Sequence, residues 1–138
     1  MKKKYFITII LTIFLTGCYF SSGIKAGDKA VAKFHEQLNN EEFAHIFDQS
    51  GVEFRETYDR QKIIDTFKHI RENLGKVEST TRLGWTVKNN SFGLIAIINS
   101  DTKFEKGSAK ERFVFLIVDD QKVELTDYEF GSEDIDLP

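Results

Sequence analysis

The chain has 138 residues, 41% of them apolar and 13% aromatic, enough for one domain with a substantial core. One proline and nine glycines exclude a collagen-like or low-complexity chain, and a formal net charge of −3 lacks the basic excess that nucleic-acid binding draws on. A single cysteine, Cys18, excludes an intrachain disulfide.

The N-terminus is patterned differently from the rest. Lys2, Lys3 and Lys4 precede an apolar run over residues 6–15, followed by the small residues Thr16 and Gly17 and then Cys18. As a helix at about 1.5 Å per residue the run reaches only about 15 Å, half the roughly 30 Å of a bilayer core. It reads as the hydrophobic region of a signal peptide and not as a span. A reactive thiolate needs a base and an ordered pocket, which a leader junction does not offer Cys18.

Leu15, Thr16, Gly17 and Cys18 resemble the lipobox of bacterial lipoproteins, in which an aliphatic and two small residues precede an obligatory cysteine. The resemblance implies diacylglycerol transfer to the Cys18 sulfur and cleavage before Cys18, making residues 1–17 a signal peptide. It also implies palmitate-type acylation of the new amino group. At about 0.8 kcal/mol per buried CH₂, two or three acyl chains give a lasting anchor. Removal of residues 1–17 takes away three of the nineteen basic side chains and leaves sixteen against twenty-two acidic ones, a net −6. The lipid, and not charge, would therefore hold the domain at an anionic surface. The implied location is the cell membrane or outer membrane, lipid-anchored and extracytoplasmic.

Residues 18–27, with Ser21, Ser22, Gly23 and Gly27, read as the lipidated cysteine and a flexible tether. The domain is expected over residues 28–138. Asp28 is a suitable N-cap, and Val31, Phe34 and Leu38 recur at helical spacing until Asn39 and Asn40. A short helical piece carries Phe43, Ile46 and Phe47 and ends near residues 48–51. A longer helix starts at about Asp59, buries Ile63, Ile64, Phe67, Ile70 and Leu74, and stops at Gly75.

The period then changes to two. Val77, Ser79, Thr81, Leu83, Trp85 and Val87 alternate with polar residues, with Gly84 as a candidate bulge. Asn89 and Asn90 precede the apolar run 92–98, a loop or strand extension covers 101–108, and further strands are expected over 112–118 and 123–130, parted by a turn at 119–121. Helices followed by four antiparallel strands predict an α+β domain, with N-terminal helices packed against a curved four-stranded sheet.

The stretches AVAKFHEQLNNEEFAHIFDQS and IDTFKHIRENLGKVESTTRLGW, within residues 28–130, are similar in order and pattern to the cystatin-like, nuclear-transport-factor-two-like domain of small bacterial lipoproteins of unknown function. Some proteins of that fold are enzymes with an acid or base in an apolar cavity, and others bind ligands or partners without catalysis, so the fold alone assigns no activity.

A carboxylate in an apolar pocket with a tyrosine donor would mark an isomerase-like site. Asp101, Glu111, Asp119 and Asp120 are expected at strand ends or turns and in water, and no catalytic residue maps onto this chain. Glu42 and His45 have the i, i+3 spacing of carboxylate-bridged metal sites but lack a second such pair. Asp65 and His69 read as an exposed i, i+4 ion pair, and His35 as a boundary residue. No metal or cofactor is expected.

Phe34, Phe67, Trp85, Phe92, Phe113 and Phe115 could line a cone-shaped pocket for an apolar ligand, although a filled core is the favoured alternative. Tyr58 and Tyr128 could direct hydroxyls into such a pocket. Glu78, Arg82, Lys88, Lys103, Lys110, Arg112, Lys122 and Glu124 mix signs as on a solvated sheet face, and the acidic tail at Glu133, Asp134 and Asp136 is expected to fray. The function expected is a noncatalytic binding or interaction module of the cell envelope, not an enzyme. Its partners would be the membrane, through lipid on Cys18, and an envelope protein or apolar ligand. The alternatives are an apolar small-molecule carrier or enzyme using the interior of the cone, and an inhibitor or immunity-type lipoprotein.

Overall fold

The structure, a computed structural model, describes residues 21–119 and 121–138 with their side chains, and residues 2–20 by helical backbone alone. The Leu15, Thr16, Gly17 and Cys18 side chains thus lie outside the described residues, as does Asp120. Four helices come first, α1 (Lys2–Asn39), α2 (Phe43–Asp48), α3 (Val52–Thr57) and α4 (Arg60–Leu74). Four strands follow, β1 (Val77–Asn90), β2 (Gly93–Phe104), β3 (Gly107–Ile117) and β4 (Val123–Gly131). The strands form an antiparallel meander in the order β1-β2-β3-β4, and the helices pack on one face, giving the α+β fold expected.

The core follows from period matching. Along β2 the buried Leu94, Ala96, Ile98, Ser100, Thr102 and Phe104 alternate with more exposed neighbours, and along β3 the buried set is Ala109, Glu111, Phe113, Phe115 and Ile117. Most of that face meets Val31, Phe34 and Leu38 of α1, Phe54 of α3 and Phe67, Ile70 and Leu74 of α4 in one apolar cluster, while Leu94, Ala96 and Ile117 form a second, smaller one. Phe34, Phe67, Phe113 and Tyr128 form its aromatic centre, with the Phe34 ring centroid 5.5 Å from Phe67, 5.1 Å from Phe113 and 4.9 Å from Tyr128.

Helix α1 corrects the tether expectation. Residues 21–27 are helical and continue without a break past Asp28, which is an internal helical residue paired with Arg82 rather than an N-cap. The reason is close approach. A Cβ at Gly23 would lie 3.3 Å from Val87 Cγ1, and one at Gly27 only 2.6 Å from Ile98 Cδ1. The absent side chains let α1 lie low on the sheet, so the buried positions Gly23, Gly27, Val31, Phe34 and Leu38 make one stripe at intervals of three and four residues.

The other boundaries hold with small changes. Asp59 caps α4, its Oδ1 accepting from the Lys62 N–H at 2.9 Å, and the helix ends at Gly75. Helix α3 is an element beyond the three helical pieces that the apolar period predicts, and residues 101–108 are the strand extension of the two expected alternatives, the ends of β2 and β3 joined by a tight turn at Glu105 and Lys106. A register shift between Arg82 and Gly84 is the bulge expected there. Phe92 belongs to the β1–β2 turn, where Asn90 Oδ1 accepts from the Phe92 and Gly93 N–H groups at 2.9 and 3.0 Å. The acidic tail is tied down and not frayed. Asp134 Oδ2 accepts from the Ser108 N–H at 2.9 Å, the Asp136 carbonyl meets His69 Nε2 at 3.0 Å, and Ile135 packs on the core.

The turn supplies a local test. Gly93 has φ 148°, and a Cβ there would sit 2.3 Å from the Ile117 carbonyl oxygen. Gly93→Ala is expected to cost about 1–3 kcal/mol in urea unfolding through this strain. Gly84→Ala, with nothing within 4 Å of its added carbon, is expected to stay within about 0.5 kcal/mol of wild type.

Candidate functional site

A polar cluster crosses the apolar core near the C-terminal end of α1. Glu111, placed mid-strand on the inner face of β3, is 2% exposed. Its Oε2 meets His35 Nε2 at 2.7 Å and accepts from the Thr102 hydroxyl at 2.5 Å, while Oε1 accepts from the Tyr128 hydroxyl at 2.6 Å. His35 Nδ1 in turn meets the Thr80 hydroxyl at 3.1 Å. A tautomer with hydrogen on Nε2 satisfies the whole cluster, the ring donating to the carboxylate and accepting from Thr80. Burial first, and then the adjacent Glu111 carboxylate, push the Tyr128 hydroxyl well above its ordinary range and keep it a donor.

Both His35 and Glu111 depart from the sequence reading. Glu111 is neither at a strand end nor in water, and His35 is buried. The signal was parity. Glu111 shares its face with Ala109, Phe113 and Phe115, and His35 sits four residues after Val31 and three before Leu38 on the buried stripe. A glutamate in an inward register beside an inward histidine is a pairing that only the fold brings together.

Two openings flank α1. One, a cavity of about 470 Å³, lies on the β1–β2 side among Asp28, Val31, Ala32, His35, Thr80, Arg82, Ile98 and Ser100. Arg82 at its edge is bonded to Asp28, and the buried Ser100 hydroxyl has no hydrogen-bond partner among the described residues. The other, a groove of about 440 Å³, lies on the β3–β4 side of α1. Its apolar lining is Ala26, Ala30, Phe34, Ile46, Phe115, Val123 and Leu125. One wall carries Lys25, Lys29 and Lys33, and Gln37, Gln49 and Ser50 add polar positions. The Gln37 amide donates to Gln49 Oε1 at 3.2 Å, joining α1 to the end of α2. The volume falls in the ordinary range for small-molecule sites.

The six aromatic residues expected to line a pocket divide three ways. Phe34 and Phe115 line the groove, Phe67 and Phe113 are fully enclosed in the core, and Trp85 and Phe92 are exposed. The interior between helices and sheet is thus filled by Phe54, Phe67, Phe104 and Phe113, and the accessible space is lateral. Tyr58 directs its hydroxyl to Asp127 Oδ1 at 2.6 Å, and that hydrogen bond, with burial, raises it to about 12. The Asp65 and His69 side chains take separate partners, Asp65 accepting from Gln61 at 2.9 Å and His69 meeting Asp136 and Asn73. Glu42 precedes α2 without capping it. Among the described residues no group of three or more metal-ligating side chains converges.

The cluster has two measurable consequences. Removing one partner of a buried pair strands the other, so Glu111→Ala or His35→Ala is expected to destabilise the fold by about 3–5 kcal/mol. The double mutant should lose less than the sum. Independent additive losses in urea unfolding would contradict the pairing. For the tyrosines, a folded value raised above the unfolded value near 10 means that the protonated hydroxyl is favoured by folding. That contribution is whole below pH 10 and is lost as pH rises above 10. Stability is expected to fall through this window, less steeply in a Tyr58→Phe, Tyr128→Phe variant.

A search of curated proteins and one of solved structures both find no match. Residues 31–126 match the family described as a protein of unknown function, DUF3887, a span that runs from the buried stripe of α1 into β4 and includes His35, Glu111 and most of the groove. The chain belongs to the DUF3887 family.

Proposed function

We propose that this protein is a lipid-anchored extracytoplasmic lipoprotein whose α+β, cystatin-like domain binds an apolar small molecule without transforming it. The observation that carries the reading is the lateral groove of about 440 Å³, open beside α1 with Phe34, Ile46, Phe115 and Leu125 on its floor. Binding there is favoured by removal of apolar surface from water, at about 25 cal/mol per Å². The noncatalytic part of the reading rests on where the polar chemistry goes. Glu111, His35 and Tyr128 spend their hydrogen bonds on one another across the core, whereas among the described residues the groove lining has lysine, amide and hydroxyl groups but no carboxylate or histidine.

The anchored part rests on Leu15, Thr16, Gly17 and Cys18 after a lysine-led apolar run. Among the described residues no helix is long and apolar enough to cross a membrane. Lipid on Cys18 would supply the attachment.

Each part has its own test. Growth with a labelled fatty acid is expected to label the wild-type chain and not Cys18→Ser; equal labelling would remove the anchor. A neutral long-chain probe, hexadecanol, is expected to bind the full-length Cys18→Ser chain in a fluorescence-displacement titration. Ala26→Trp, which fills the groove, should weaken binding at least about tenfold while the chain stays folded, with urea unfolding lowered by no more than about 1–3 kcal/mol because Ala26 also packs against Leu94, Ala96 and Ile117. Undiminished binding by Ala26→Trp would place the ligand elsewhere.

A further inference from the structure

Lys25, Lys29 and Lys33 stand at i, i+4 and i+8 on α1, a spacing that puts three ammonium groups in one row. All three are exposed residues that line the groove, and the row runs about 12 Å along the helix. None of them forms an ion pair among the described residues, whereas Lys68, Lys103 and Lys122 each have a carboxylate partner. Like charges at i, i+4 destabilise a helix by a few tenths of a kcal/mol for each pair. The row is therefore a small local cost, set in a chain whose overall charge is negative.

The row also borders apolar surface. Ala26 and Ala30 lie between the lysines on the helix and keep the groove open, while Phe34, Phe115 and Leu125 form its floor. Lysine stems are apolar up to the ammonium group, so they extend the wall while holding charge at the rim. Apolar floor and cationic rim together match one kind of molecule.

We propose that the groove is built for a single-chain amphiphile with an anionic head, the chain lying on the floor and a carboxylate or phosphate head held by Lys25, Lys29 and Lys33. This rests on the groove being the binding site, and it adds the charge of the ligand. A volume of about 440 Å³ suits one such chain and is too small for a partner helix about 10 Å across. The second cavity is not the head site, because Arg82 there is already bonded to Asp28.

Hexadecanoate, hexadecyl phosphate, hexadecanol and hexadecyltrimethylammonium are compared on the full-length Cys18→Ser chain, below the concentrations at which they form micelles. The two anions are expected to bind at least about tenfold more tightly than the alcohol, and the cation most weakly. The advantage should shrink as ionic strength rises from 0.01 to 0.15 M, where the screening length falls from about 30 to about 8 Å. A variant with Lys25→Gln, Lys29→Gln and Lys33→Gln should lose the anion advantage and bind anion and alcohol alike, the alcohol affinity changing far less than that of the anions because only the stems of the lysines touch its chain. Hexadecanoate binding tightly while hexadecyl phosphate does not would identify a carboxylate ligand, and the reverse a phosphate. Equal affinity for all four probes, or an anion preference that survives the triple substitution, overturns the anionic head and leaves the groove. Failure of every probe to bind overturns both.

Discussion

Everything in this fold is referred to the contact between His35 and Glu111, 2.7 Å apart inside the apolar core. A charged or polar pair buried at that depth costs a large desolvation and is kept only where its remaining hydrogen-bonding positions are filled. Here Thr102, Tyr128 and Thr80 fill them, from β2, β4 and β1 respectively, while Glu111 is on β3. One helix is thus bonded through a single cluster that draws on all four strands. Sliding α1 along the sheet would leave several buried polar atoms unpartnered at once, whereas a purely apolar contact would change gradually. The cluster fixes the register of helix on sheet.

With that register fixed, the two glycines of α1 make sense as structural residues. Gly27 faces Ile98 and Gly23 faces Val87 and Leu94, about two and three turns from His35. The helix can approach the sheet there only because no side chain intervenes, so residues 23–27 of α1 remain seated on β1 and β2. The consequence appears on the other side of the helix. Lys25, Lys29 and Lys33 are carried along the rim of the groove, above Phe115 and Leu125, by the same helix orientation that directs His35 at Glu111.

The sequence made much of the fold legible because the apolar period is clear. Ile63, Phe67, Ile70 and Leu74 state a helix, the alternation from Val77 to Val87 states a strand, and Gly84 marks a bulge that exists. The reading failed where one residue serves a distant partner. Gly23 and Gly27 carry turn and tether composition locally, but their role is set by Val87 and Ile98, more than sixty positions away in sequence. Glu111 is polar and was assigned to water, yet its strand parity puts it inward and its partner is 76 residues earlier. The row of Lys25, Lys29 and Lys33 becomes a site only in the fold, since the floor beside it joins Phe34 of α1 to residues of α2, β3 and β4. The aromatic residues share one composition, yet they separate by place: Phe67 of α4 and Phe113 of β3 are shut between helices and sheet, whereas Phe92 lies in the β1–β2 turn and is exposed.

The proposed anchor and the proposed ligand constrain each other through chain length. Cys18 precedes Ser22, the first residue lining the groove, by four residues, and a chain of four residues spans at most about 14 Å in any conformation. Lipid on Cys18 would therefore hold the near end of the groove within that distance of the lipid surface, about half the thickness of a bilayer core. A soluble protein that binds an amphiphile must meet it at the very low concentration at which such molecules are dispersed in water, whereas a domain held this close meets molecules leaving the bilayer. The negative charge of the domain acts against that closeness and leaves the lipid to maintain it. An acidic body is pushed from an anionic surface, and an isolated row of lysines on that body is a local attractor for single anions without being strong enough to press the whole domain onto the membrane. On this proposal attachment by lipid and selection by lysine would be separate tasks assigned to neighbouring stretches of sequence, and the buried His35–Glu111 contact would hold the second in place against a pull on the end of α1.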